Sequence, residues 1–160
     1  MNSRGHFGIA IGVMSILMLP FGFGKDYLIL FVILLSSGAS ALPDIDWRIG
    51  IPHRTITHTL LFAILIGVVF AFVFWYVGGI WYSLVGFFGG LMGIMLHLLG
   101  DAMNYMELRP FYPINNTKVA WRLFPADSRL HNESFLYLGV GFFFFYVLIS
   151  SGILASILTQ

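Results

Sequence analysis

The chain has 160 residues, of which 59% are hydrophobic and only 9% charged, with a mean hydropathy of +0.91. That is far too little charge to coat a water-soluble globule, so lipid is the main solvent and the length allows one integral membrane domain. With no cysteine, disulfides and thiolate metal sites are excluded, leaving His, Asp and Glu as the strong ligands, and a net charge of +1 without a basic stripe argues against nucleic acid as a partner.

A helical span takes about 20 apolar residues. Windows of low charge predict an all-α polytopic membrane protein with five transmembrane helices, near residues 5–23, 26–42, 55–77, 80–103 and 134–158, and motif loops at 43–54 and 104–133. The first span opens after Arg4 and is shortened by Pro20; its basic start and apolar run also suit a signal peptide. No small-x-small cleavage site precedes Lys25, so a retained helix is expected. Pro43 is expected to stop the second helix. Thr55 or Thr57 is a plausible N-cap of the third helix, with His58 about one turn inside it. Gly78-Gly79 predicts a tight turn between the third and fourth helices, and Gly86, Gly89, Gly90 and Gly93 are spaced to let another helix approach closely.

Threading five spans puts the N-terminus, the loop 43–54 and the segment 104–133 on one membrane face. Seven of the eight Lys and Arg residues fall on that face, with Lys25 alone opposite, so the positive-inside bias predicts that it is cytoplasmic. All five histidines and six of the seven acids fall there too, with Asp26 opposite. Loops and helix ends collect polar residues in any membrane protein, but that does not explain ionisable groups inside apolar runs, which are costly enough to suggest function.

His97 and Asp101 are four residues apart on the fourth helix and share a face, a two-toothed metal grip. His58 sits about one turn into the third helix, Asp44 follows the second beside Asp46, and His6 opens the first. Each alone suits a satisfied polar residue at a helix end. Together they bring ligands from separate elements to one depth on one face. Metal ligands are therefore expected at His6, Asp44, His58, His97 and Asp101, with Glu133, His131, Arg109 and Arg122 as further candidates for metal or substrate. Nitrogen and oxygen donors suit a divalent ion, zinc first, with manganese, iron or magnesium also conceivable, and this many ligands have room for two or three ions. Such a cluster lowers the pKa of bound water and favours hydrolysis. Asp46 and His53 are candidates to orient or deprotonate water, and Arg54 to stabilise developing negative charge. No nucleophile elbow, phosphate-binding glycine loop or His-Glu-x-x-His helix competes with this reading.

Gly5-His6, Leu42-Pro43-Asp44-Ile45-Asp46, His53-Arg54-x-x-Thr57-His58 and His97-x-x-x-Asp101, with Pro110 and Pro113 downstream, occur in an order that resembles the YdjM-like family of inner-membrane metal-dependent hydrolases. The likeness runs from about residue 4 to about residue 135, with departures at Trp47, Thr55 and Thr59. That family is distantly similar to the zinc phospholipase C and P1 nuclease group, whose helical fold holds His-x-x-x-Asp ligands around zinc. The resemblance implies a phosphate-bearing substrate. The expectation is thus an inner-membrane hydrolase, its site facing the cytoplasm, that cleaves a phosphoester of a lipid or lipid-like substrate with metal-bound hydroxide. A divalent-metal transporter and a non-catalytic membrane scaffold are the alternatives; transport sites lie near the midplane with access from both sides.

Overall fold

The computed structural model describes residues 1–21, 27–50 and 54–152. Its five long helices are α1 (Ser3–Met18), α2 (Tyr27–Ala39), α3 (Leu60–Gly78), α4 (Ile80–Ala102) and α5 (Arg129–Ser150). With the 3-10 turns that extend α1 to Phe21 and α2 to Ile45, all five are long and apolar enough to cross a membrane. The described residues contain no strand, and the fold is the all-helical, polytopic, five-span membrane protein that composition predicts.

Boundaries depart from the hydropathy windows where polar groups decide the local structure. The third helix starts at Leu60 rather than Thr55, because Thr59 is its cap: the Thr59 hydroxyl accepts from the Phe62 N–H at 3.1 Å. Neither Thr55 nor Thr57 plays that part, and His58 sits in the 3-10 turn Ile56–His58 ahead of the helix instead of one turn inside it. Pro43 does not stop α2, which ends at Ala39. It opens the following 3-10 turn, where its fixed φ and missing N–H cost nothing. α5 begins at Arg129, earlier than expected, because its polar first turn depresses the hydropathy average there. Gly79 alone separates α3 from α4, at φ 73, a left-handed value that glycine adopts without strain.

α4 packs against α3, α2 and α1, while α5 lies along α1. α1 and α4 are the most enclosed, and α3 and α5 turn most of their surface outwards to lipid. Glycines set the closest approaches. A Cβ on Gly139 of α5 would collide with the backbone of Gly8 on α1, and one on Gly93 of α4 would stand 2.7 Å from the Ala39 Cβ of α2. Between the helices Met14, Ile33 and Leu96 close an apolar core with Ala10, Ile11 and Tyr146.

Candidate metal centre

Four of the five long helices deliver their polar ends to one place. His6 comes from the first turns of α1, Asp44 from the turn after α2, His58 from the turn before α3, and His97 and Asp101 from the last turns of α4. All three histidines are fully buried, Asp101 is 1% exposed, and Asp44 is 27% exposed at the edge. Ionisable groups so deep in an apolar bundle stay only if they neutralise one another or hold an ion.

Their partners assign the tautomers. His97 Nδ1 lies 2.7 Å from the Ser40 carbonyl, which can only accept, so the ring donates there and carries its lone pair on Nε2. Behind His58, Thr57 Oγ1 donates to Asp46 Oδ2 at 2.9 Å and stands 3.0 Å from His58 Nδ1, so that nitrogen donates to the hydroxyl, and Asp46 Oδ2 is itself 3.4 Å away. The His58 lone pair is then also on Nε2. The two Nε2 atoms face each other at 3.1 Å. Two lone pairs at that distance repel unless a proton or a cation lies between them.

Oxygen completes the group. Asp101 Oδ2, buried and without a hydrogen-bond partner, stands 3.5 Å from His58 Nε2 and 3.7 Å from His97 Nε2, and Asp44 Oδ1 lies 3.8 and 3.7 Å from the same two nitrogens. Donors around a tetrahedral zinc ion, with bonds of about 2.0–2.1 Å, stand about 3.3–3.4 Å from one another. The spacings run from 3.1 to 3.8 Å, from just below that edge length to a few tenths above it, and the orphaned oxygen lies beside both nitrogens, so these residues fit a divalent ion. His6 is stacked on His97 with ring centroids 3.7 Å apart, and both of its buried ring nitrogens lack a hydrogen-bond partner. His6, Asp44 and His97 form a second, overlapping group of ligand atoms.

The other oxygen of Asp101 is committed. Oδ1 accepts from Arg54 Nη2 at 2.9 Å, from Asn104 Nδ2 at 3.1 Å and from the Met1 amino group at 2.9 Å. Arg54 also donates to the Met106 carbonyl at 2.6 Å, and its backbone sits at φ 61. A non-glycine residue pays about 1–2 kcal/mol for that left-handed conformation, and such strain persists where the surroundings over-determine it.

Asp44 and Arg54 also line a cleft of about 670 Å³ whose other walls include Leu42, Ile45, Trp47 and Met106. Asp46 does not line it: fully buried, it faces the Nδ1 edge of His58, away from the converging lone pairs. Glu133 is held by Arg4 at 2.8 Å, His131 stacks on Phe124 and meets Ser128, and Arg122 lies beside Glu107, so these candidates have partners of their own outside the His–Asp groups. Arg109 is exposed, and His53 lies outside the described residues, as do Lys25 and Asp26. Asn104 and Asn132 leave no sign of a role in the sequence, since a neutral amide adds no charge and is a weak metal ligand beside His, Asp and Glu. Both are fully buried; Asn104 holds Asp101, and Asn132 Oδ1 accepts from the Asn2 N–H at 3.0 Å, tying α5 to the start of α1.

No curated protein and no solved structure gives a significant match to this chain. The sequence model of the YdjM inner membrane protein family, by contrast, matches residues 1–157, and the chain belongs to that family.

Proposed function

We propose that this inner-membrane protein is a divalent-metal hydrolase that cleaves a phosphoester, or a related ester, of a lipid or lipid-like substrate. The observation that carries the proposal is the convergence of the His58 and His97 lone pairs on the unpartnered Asp101 Oδ2. A divalent ion held there supplies Lewis acidity for a phosphoryl oxygen and lowers the pKa of water. Zinc suits the two imidazoles and one carboxylate of each group, and because the one free lone pair of His97 belongs to both overlapping groups, one ion at a time uses it.

The chain's own residues divide the work. The Ser40 carbonyl and the Asp46–Thr57 pair hold the two imidazoles in the ligating tautomer, and Arg54 with Asn104 turns Asp101 so that Oδ2 faces inward. Asp44, at the cleft, is placed to meet both ion and substrate, and Arg54 gives the cleft a cationic wall for phosphate. The apolar walls at Leu42, Ile45 and Trp47, at the end of a membrane bundle, suit a substrate with an acyl or prenyl chain. The apolar core of Met14, Ile33 and Leu96 below the histidines favours hydrolysis over transport, whose sites lie near the midplane with access from both sides. The excess of Lys and Arg on the site's face supports a cytoplasmic orientation.

Elemental analysis of detergent-purified protein tests the reading, with His97→Ala/Asp101→Ala as the comparison. Stoichiometric metal in the wild type, lost in the double variant, and metal-dependent release of phosphate or a phosphorylated headgroup from mixed micelles are expected. Metal-free wild-type protein after reconstitution with zinc and manganese would refute the proposal.

A further inference from the structure

Away from the metal centre, the segment between α4 and α5 folds into a hairpin-like excursion that the hydrolase reading leaves unused. Leu108 and Val119 exchange backbone hydrogen bonds at 3.0 and 2.9 Å, and Leu108 is buried. The chain runs in opposite directions from that antiparallel bridge, so Arg109 and Lys118 follow it as neighbours, both exposed. Like charges set side by side in this way repel. Glu107 relieves only part of this: its carboxylate lies 2.8 Å from Lys118 and 3.6 Å from Arg122, and three cations share one anion. The Lys118 ammonium holds Glu107 below the usual carboxylate range, so it is ionised and already counted. A surplus of two positive charges remains.

The same excursion carries apolar side chains that the described residues leave largely exposed. Ile114 is 91% exposed and Trp121 54%, and Phe111 and Tyr112 stand beside them in the open. Between this segment and the start of α3 runs a groove of about 410 Å³ lined almost wholly by apolar groups, including Leu61, Ile64, Pro110, Phe111 and Ile114. Leu61 and Ile64 belong to the lipid-facing surface of a membrane span, so the groove is continuous with the hydrocarbon at one end. At the other end the backbone is tied down, because the Pro110 carbonyl accepts the Leu60 N–H at 2.8 Å. An apolar trough opening to acyl chains and adjoining surplus cationic charge is complementary to one kind of molecule.

We propose that the 105–123 excursion lies in the headgroup layer and binds an anionic phospholipid of the surrounding leaflet, with an acyl chain in the Leu61–Ile114 groove and the phosphate at Arg109 and Lys118. This lipid is a bound partner rather than the substrate, and the site is separate from the His–Asp cluster. Because the chain has no cysteine, Asn116→Cys, exposed beside the groove but outside its lining, provides a unique attachment point for a fluorophore. The labelled full-length protein is placed in nanodiscs in which either phosphatidylglycerol or phosphatidylcholine carries brominated acyl chains, at equal mole fraction. Brominated phosphatidylglycerol is expected to quench more strongly, with a relative affinity of roughly fivefold or more that falls towards unity in Arg109→Gln/Lys118→Gln and at high salt. Glu107→Gln, which removes the competing anion, is expected to raise the preference.

Three results would overturn the proposal: no quenching by either lipid, which would put the excursion in water; equal quenching by both in the parent protein; or a preference unchanged by the two variants. Abolition of the preference by excess inorganic phosphate would mean that the cations read free phosphate instead of a lipid. Metal content reports separately on the hydrolase reading, since these substitutions lie outside the ligand set.

Discussion

His58 and His97 each have one ring nitrogen occupied, and the occupant decides how well the other can bind. Asp46 acts on His58 through Nδ1, and losing its charge weakens the ligand without removing it. Asp46→Asn is therefore expected to lower zinc affinity by about 10–100-fold with helical content retained; competition against a chromophoric chelator measures it, and an unchanged constant would remove Asp46 from this role. Arg54 allows a sharper separation. Arg54→Lys keeps the charge but loses the planar fork that reaches Asp101, Asn104 and the Met106 carbonyl at once. If Arg54 positions Asp101, metal affinity falls about tenfold or more; if it supplies only charge, affinity stays. His97 and Asp101 were legible as a pair from their spacing alone, since four residues on a helix return to one face. The division between Asp44 and Asp46 was not. Two residues apart in a tight helical turn, they point to different sides, and nothing in Asp-Ile-Asp says which meets the lone pairs and which stands behind His58.

At the scale of elements, the site depends on how closely α1 and α5 approach. Gly8 and Gly139 are in backbone contact, and His6 lies half a turn from Gly8, so a side chain wedged there would move a buried imidazole as well as loosen the packing. Gly139→Leu is expected to destabilise the protein by about 1–3 kcal/mol or more. Gly141 provides the control on the same helix, because a Cβ there meets nothing within 4 Å and Gly141→Leu would face lipid. Thermal unfolding in detergent should separate the two, with Gly139→Leu melting earlier and retaining less metal. Equal melting would mean that α1 and α5 adjust independently of the site. The number and order of helices were readable from hydropathy, which averages over a window and is robust to single residues. Their ends were not, because one hydroxyl decides them: Thr59 caps α3, while the similar Thr57 is drawn to Asp46.

For the whole molecule, the odd number of spans binds orientation to function. Five crossings place the two termini on opposite sides, and every ligand sits at the N-terminal end of α1 or at an element end level with it. With seven of eight Lys and Arg residues on that face, the N-terminus and metal centre should be cytoplasmic and residue 160 periplasmic. Alkaline phosphatase fused after Gln160 should be active and a green fluorescent protein fused there dark. The absence of native cysteine adds an independent reading: Asn116→Cys, exposed on the same face as the site and outside the groove, should react with a membrane-impermeant maleimide only once inner-membrane vesicles are inverted. Agreement would mean that the substrate is drawn from the cytoplasmic leaflet. Labelling of Asn116→Cys in intact cells with a fluorescent C-terminal fusion would invert the protein and turn the cleft to the periplasm. A dark phosphatase and a fluorescent fusion, with Asn116→Cys still cytoplasmic, would instead put both ends on one side and break the five-span threading itself.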